Sequence, residues 1–230
     1  MGGAVRTSDG WVFWSPDGRR ERRYRLVPMP EEFVRWQLEA RRHLYRRLSE
    51  AKEEVHFAPP HLPVLATRNP RESDHPINLS VKGIALFPVR ELLGPIVQQI
   101  ERMLAQAAPS PLPLSLAQRS DFVAGLFREP GEVDRYAFGG LEIFEGTTFR
   151  NLGRDPRATL LFVGDGPEYP CYQFDVVSEI VREGDLRYRY LSGLRRLFEG
   201  DSFHVRQTRY PWGYVFWIVG VRDKTPRPRS

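Results

Sequence analysis

The sequence predicts an α+β fold in which a small six-stranded antiparallel barrel carries peripheral helices. Three observations predict it. Residues 136–165 read as strand, tight turn, short helix and strand. The other strand candidates, 62–67, 75–82, 171–182 and 213–221, are alternating or continuously apolar. Helix-period stretches lie between or outside them, at 30–55, 91–107, 115–127 and 185–198. A strand pair, a strand–short helix–strand unit, a long strand, a helix and a closing strand form a succession suited to a small barrel.

Composition sets the limits. The 230 residues are 41% hydrophobic and 12% aromatic, which marks a globular chain with material for a sizeable core. The formal net charge is +5, and 31 of the 34 basic residues are arginine, the lysines being Lys52, Lys82 and Lys224. An arginine excess also follows from genomic base composition, so the charge alone does not point to nucleic acid. The lone Cys171 excludes an internal disulfide and a zinc-cysteine cluster. Neither a signal-peptide core behind Met1 nor an apolar run of membrane-spanning length occurs, so a cytoplasmic protein is expected.

The elements follow in order. Segments 11–15 and 19–27 flank Pro16-Asp17-Gly18 as a hairpin. Arg19, Arg20, Arg22, Arg23 and Arg25 could grip phosphates, but Tyr24 and Leu26 alternate with them as on a solvated strand face. Pro30 starts a long helix with Phe33, Trp36 or Gln37, Ala40, Leu44, Leu48, Ala51 and Val55 on one stripe and Arg41, Arg42, Arg46 and Arg47 opposite. That stripe packs on the domain or on a partner subunit. In HPINLSVK, 75–82, apolar Ile77, Leu79 and Val81 alternate with Asn78, Ser80 and Lys82. The apolar set is expected in the core and the polar set along a groove. Residues 91–107 form a helix, Pro109, Pro111 and Pro113 a linker, and Ser115 caps a helix to Phe127. Asp185 caps a helix through Leu186, Tyr190, Leu194 and Phe198. The resulting division is a hairpin-and-helix extension at 1–58, a barrel domain at 59–223 with a helical insertion at about 84–135, and a disordered tail at 224–230.

Chemistry concentrates at the turn after residue 144. Thr147 or Thr148 caps a short helix that Pro156 ends, leaving free backbone N–H groups at its start. Arg150 lies in the first turn, where the helix dipole disfavours a cation unless an anion stands in front. A capped surface helix with a solvated arginine is the plainer reading. Elsewhere His43, His56, His61, His75 and His204 lack metal-ligand spacing, no G-x-S-x-G elbow occurs, and Cys171 reads as a small packing residue. Glu142, Glu145 and Asp165 are expected as exposed rim residues.

Three stretches resemble the FMN-binding split barrels of the pyridoxamine 5'-phosphate oxidase-like superfamily: PINLSVKG at 76–83, GGLEIFEGTTFRNLGRDPRATLLF at 139–162 and YQFDVVSEIV at 172–181. The similarity covers roughly 62–82 and 136–221. It implies a six-stranded antiparallel split β-barrel, a homodimer, and FMN in a groove between subunits serving an oxidoreductase of unspecified substrate. Carried onto this chain, it assigns the phosphate to Thr147, Thr148 and Arg150 and places Asn151 in the cofactor site. Arg150 is the first choice of basic group and Lys82 the second. Asn78, Ser80 and Lys82 line the groove, and Lys82 or Gln173 hydrogen-bonds the ring or phosphate. The oxidase's Ser-Arg-Lys turn is replaced by Gly146-Thr147-Thr148, and its C-terminal substrate segment has no counterpart, so pyridoxal phosphate synthesis is not implied. No catalytic side chain and no metal ligand is named. Two other readings are haem in the barrel, ligated by His75 or His204, and an empty barrel whose arginine-rich N-terminal region, with Trp11, Trp14, Trp36 and Tyr45, binds nucleic acid or protein.

Overall fold

A computed structural model describes residues 5–16, 19–50, 59–106, 114–126, 128–165, 169–199 and 209–226. Strands β1 (Val5–Ser8), β2 (Trp11–Trp14) and β3 (Arg22–Arg25) form a small antiparallel sheet in that order, adding β1 to the expected hairpin. Helix α1 (Glu31–Ser49) follows, its first turn acidic and its last basic, as the helix dipole favours. The expected continuation of its stripe to Ala51 and Val55, and His56, lie outside the described residues. Next come β4 (Val64–Arg68), β5 (Ile77–Val81), β6 (Ile84–Pro88), α2 (Arg90–Gln106) and α3 (Leu116–Gly125). Then β7 (Val133–Glu142), α4 (Thr147–Arg154), β8 (Arg157–Val163), β9 (Cys171–Val181), α5 (Leu186–Leu197) and β10 (Trp212–Asp223) complete the fold. The expected tail from 224 lies largely outside the described residues, as does His204.

The main sheet has seven strands, not six, in the order β5-β4-β8-β9-β10-β7-β6, every neighbour antiparallel. The added strand is β6, inside a stretch expected to be helical; IALFP is apolar and pairs with β7 through Ile84–Gly140 and Leu86–Phe138. The barrel is open, because β5 and β6 occupy opposite ends of the sheet order. Yet only Lys82 and Gly83 separate them in sequence. A connection of that length reaches about 10 Å, so the sheet curls until its two edges approach at this corner.

Helix α1 closes the concave side. Phe33 is fully buried, edge-on to Phe174 at 4.6 Å, Phe162 at 5.1 Å, Tyr172 at 5.2 Å and Phe138 at 5.8 Å. Such pairs add to the large area each ring buries. Over the described residues the apolar stripe is therefore spent on the chain's own core, including Val34, Leu38, Leu44 and Leu48. Arg41, assigned by sequence to the outer side, is 3% exposed and donates to the Ile84 carbonyl and to Gln37. Burial pulls its pKa down to about 10.

On the convex side α5 covers β7 and β10, and α2 packs on α5. Two glycines allow the approach: a Cβ on Gly139 would come within 2.5 Å of Leu191, and one on Gly193 within 2.7 Å of Ile100. Ser115 caps α3 in a full capping box and Asp185 caps α5, both as the sequence predicts. No helix among the described residues is long and apolar enough to cross a membrane.

Candidate functional site

The edge of the sheet at β4 and β5 carries the residues that the sequence singles out. On β4, Leu65 and Thr67 share the inner face, so Thr67 is drawn inside with the core leucine. On β5, Asn78 and Ser80 face the same way, toward α4. Asn78 Nδ2 donates to Thr148 Oγ1 at 3.1 Å and Thr67 Oγ1 at 3.3 Å. Asn151 Nδ2 donates to Thr67 Oγ1 at 3.2 Å and Asn69 Oδ1 at 2.8 Å. Ser80 and Thr148 share a hydrogen bond of 3.0 Å between their hydroxyls. Four of the predicted residues, Asn78, Ser80, Thr148 and Asn151, thus form one network with Thr67 and Asn69. The sequence reading missed these last two, although the period-two pattern of VLATR marks Thr67 as inward.

The network reverses two expectations. Ile77, Leu79 and Val81 do not fill the core: they are 57%, 66% and 61% exposed. The polar face of β5 turns inward because α4 meets it with its own hydroxyl and amide. Thr147 and Thr148 do not cap α4 either. Gly146 is at the N-cap without a side-chain cap, Thr148 is committed to β5, and Thr147 Oγ1 accepts from Arg150 at 3.2 Å.

The rest of the helix start is open. Arg150 and Arg154 are exposed and form no ion pair among the described residues. With Thr147, Asn151, Asn69, Pro70, Glu72 and Ser73 they line a depression of about 660 Å³ at the β4–β5 turn. Asn69 holds that turn by donating its side chain to the His75 carbonyl at 2.9 Å and its backbone N–H to the Pro76 carbonyl at 3.0 Å. The first amides of α4 have no acceptor within their own helix.

Lys82 belongs to a separate cluster. Its ammonium lies 2.8 Å from Glu142 Oε2, and the two side chains are 16% and 1% exposed. The Tyr214 hydroxyl donates to the same oxygen, while the backbone N–H groups of Phe144 and Glu145 donate to Oε1, each at 2.9 Å. Glu142 is therefore buried and not a rim residue; it shares the inner face of β7 with Phe138. Burial alone would push its pKa up, but the Lys82 and Tyr214 hydrogen bonds and the Lys82 charge bring it below the ordinary carboxylate value. Burial and the adjacent Glu142 charge push the Tyr214 phenol well up. With its charge matched by Glu142, Lys82 is a poor second choice for phosphate.

Gln173 is not brought to these residues within one chain. It sits opposite Leu161 on β8, three strands from Val81 along the row Val81–Val64–Leu161–Gln173, and donates to Asp175 at 3.1 Å. That row runs across the same outer face that exposes Val81 and, on β8, Val163 at 45%. Among the described histidines, His43 and His75 are exposed, while His61 is buried edge-on to Tyr45. No group of metal-ligating side chains occurs among the described residues.

No family model matches the chain, and no curated protein matches it. Solved structures with a similar course include HutZ, the haem storage protein of Vibrio cholerae, at 11% identity and TM-score 0.43, covering 85% of this chain and 94% of that one. An FMN-binding protein from Syntrophomonas wolfei matches at 10% identity and TM-score 0.41, covering 86% and 95%. A candidate pyridoxamine 5'-phosphate oxidase from Lactobacillus delbrueckii matches at 13% identity and TM-score 0.39, covering 85% and 93%. Likeness at these values assigns neither a ligand nor an activity to this chain.

Proposed function

We propose that this protein is an FMN-binding flavoprotein, acting as a homodimeric oxidoreductase. The observation that carries the reading is an amphipathic site at one sheet edge. The α4 start, with Arg150, Arg154 and the Thr147 hydroxyl, offers an anion site of exposed cations and the first helix amides. From the same turn the outer face of β5 presents Ile77, Leu79 and Val81, and Phe144 is 65% exposed beyond β7. A flavin mononucleotide has the matching halves, a phosphate and a planar, largely apolar ring. The bound flavin would supply electron or hydride transfer, while the protein fixes its phosphate and shields a ring face. A second copy against the β5 face would bury the exposed aliphatics and cover the ring. The network of Asn78, Ser80, Thr148, Asn151 and Thr67 would position α4 and contribute its remaining hydrogen-bonding capacity.

The absorption spectrum of the purified protein tests the cofactor, with flavin bands expected. A Soret band would favour haem, with His75, two residues before Ile77 in sequence, as a described candidate ligand; neither set of bands would leave the barrel without a chromophore. Arg150→Ala tests the phosphate. A charge-assisted hydrogen bond is worth roughly 1.5–3 kcal/mol, so FMN should bind about one to two orders of magnitude more weakly. Riboflavin, lacking the phosphate, should be unaffected. Equal loss of both ligands would show that Arg150 supports the fold instead. Thr148→Val should weaken FMN less than Arg150→Ala and should also lower thermal stability, because Asn78 and Ser80 each lose a partner.

A further inference from the structure

We propose that the solvent face of the N-terminal sheet binds single-stranded nucleic acid, with bases stacked on Trp11 and Phe13 and phosphates held by Arg6, Arg23 and Arg25. The register defines this face. On the central strand β2, Val12 and Trp14 are buried at 0% and 3% and seat the sheet on the barrel. Trp11 and Phe13 therefore point the other way, half-buried. Across the ladder, Phe13 is opposite Arg6 on β1 and Arg23 on β3, while Trp11 is opposite Ser8 and Arg25. The outward face thus has an aromatic centre and arginine flanks. Of the tryptophan and tyrosine residues first considered for stacking, Trp14 is buried and Trp36 and Tyr45 pack against the main core, so the aromatic part of the site reduces to Trp11 and Phe13.

The charges are available. Arg23 and Arg25 form no ion pair among the described residues; Arg23 instead lies 5.4 Å over the Trp11 ring. Arg6 lies 4.1 Å over Phe13 and pairs with Glu21 at 2.9 Å, with both side chains about half exposed, so this pair exchanges readily for phosphate. An exposed cation–π contact is weaker than a base stacked on an aromatic ring, so a base can displace either guanidinium onto the backbone. Neighbouring strands lie about 4.8 Å apart, so the width of the sheet suits two or three extended nucleotides. With no helix or protruding ribbon on this face among the described residues to enter a major groove, a splayed single strand is favoured over duplex. A bare polyanion or anionic membrane would use the arginines but leave the rings without a role.

Fluorescence anisotropy with a labelled mixed-sequence RNA of about 12 nucleotides tests the proposal on the full chain. Three phosphate contacts predict that log K falls with log salt at a slope of about −2, using roughly −0.7 per contact for a single strand. Arg23→Ser with Arg25→Ser should lower affinity more than tenfold and reduce the slope to about −0.7. Phe13→Thr, a residue at home in a strand, should lower affinity about tenfold with the slope unchanged. Circular dichroism on each variant separates loss of the site from loss of the fold. Absence of binding at low salt would overturn the proposal. So would binding by folded Phe13→Thr equal to wild type, or equal competition by inorganic polyphosphate, since either would reduce the face to a non-specific charge. The outcome is independent of flavin binding, which is read at β5 and α4.

Discussion

The concave side of the main sheet under α1 and the convex side at β5 carry the same kind of side chain. They meet opposite environments. Phe33, Phe138, Phe162 and Phe174 are wholly buried, whereas Ile77, Leu79 and Val81 stand more than half exposed in a row. The difference is in what covers each face. Helix α1 supplies an apolar stripe to the first, whereas α4 covers the inner side of β5 with polar groups, which selects Asn78 and Ser80 to face inward. A strand of period two has one apolar side, and the neighbour decides whether that side is inside. A continuous apolar row left outside marks a surface for something else to cover.

The contrast is broken most severely at Phe33. Phe33→Ala should lower the unfolding free energy by about 3–5 kcal/mol, measured by denaturant titration, because four sheet rings and Trp36 lose a common neighbour. A loss under about 1 kcal/mol would mean that α1 is not the element closing the sheet.

Next in size is Lys82→Met at the corner joining β5 to β6. Removing one partner of a buried pair costs about 3–5 kcal/mol, with the low end expected because Lys82 is 16% exposed. The pH dependence carries the sign. The folded pKa of Glu142 lies below its unfolded value of about 4.5, so its contribution is complete above that pH and is lost as pH falls through the folded pKa. Glu142→Gln should flatten this part of the acid limb. In Lys82→Met the Glu142 pKa should rise, because two of the causes that lower it are gone, so this part of the acid limb should shrink. An unchanged acid limb in both variants would exclude the pair as a contributor.

On the open side, Leu79→Asp should change chain stability by no more than about 0.5 kcal/mol, as expected of an exposed site. Its effect should appear in association: light scattering should show the proposed dimer weakened by more than tenfold, with circular dichroism unchanged. A dimer of undiminished affinity would move the subunit interface away from β5.

What the sequence determined is local or periodic. The Ser115 and Asp185 caps, the strand character of 77–81 and 158–163, and the two-sided nature of α1 all follow from groups a few residues apart. The β6 strand escaped because a short apolar run before a helix has no period of its own. The tertiary structure decided the occupants of each face. Thr148 left the cap for Asn78, 70 residues away, and Glu142 came inside to meet Lys82, 60 residues away. Neither separation leaves a trace in local spacing. A lone polar residue reads as exposed until the chain brings its partner, because burial without one would cost more than the fold returns. The sequence drew attention to α4 and β5, and only their packing separated Asn78, Ser80, Thr148 and Asn151, which bond to one another or to Thr67, from Arg150 and Arg154, which stay exposed.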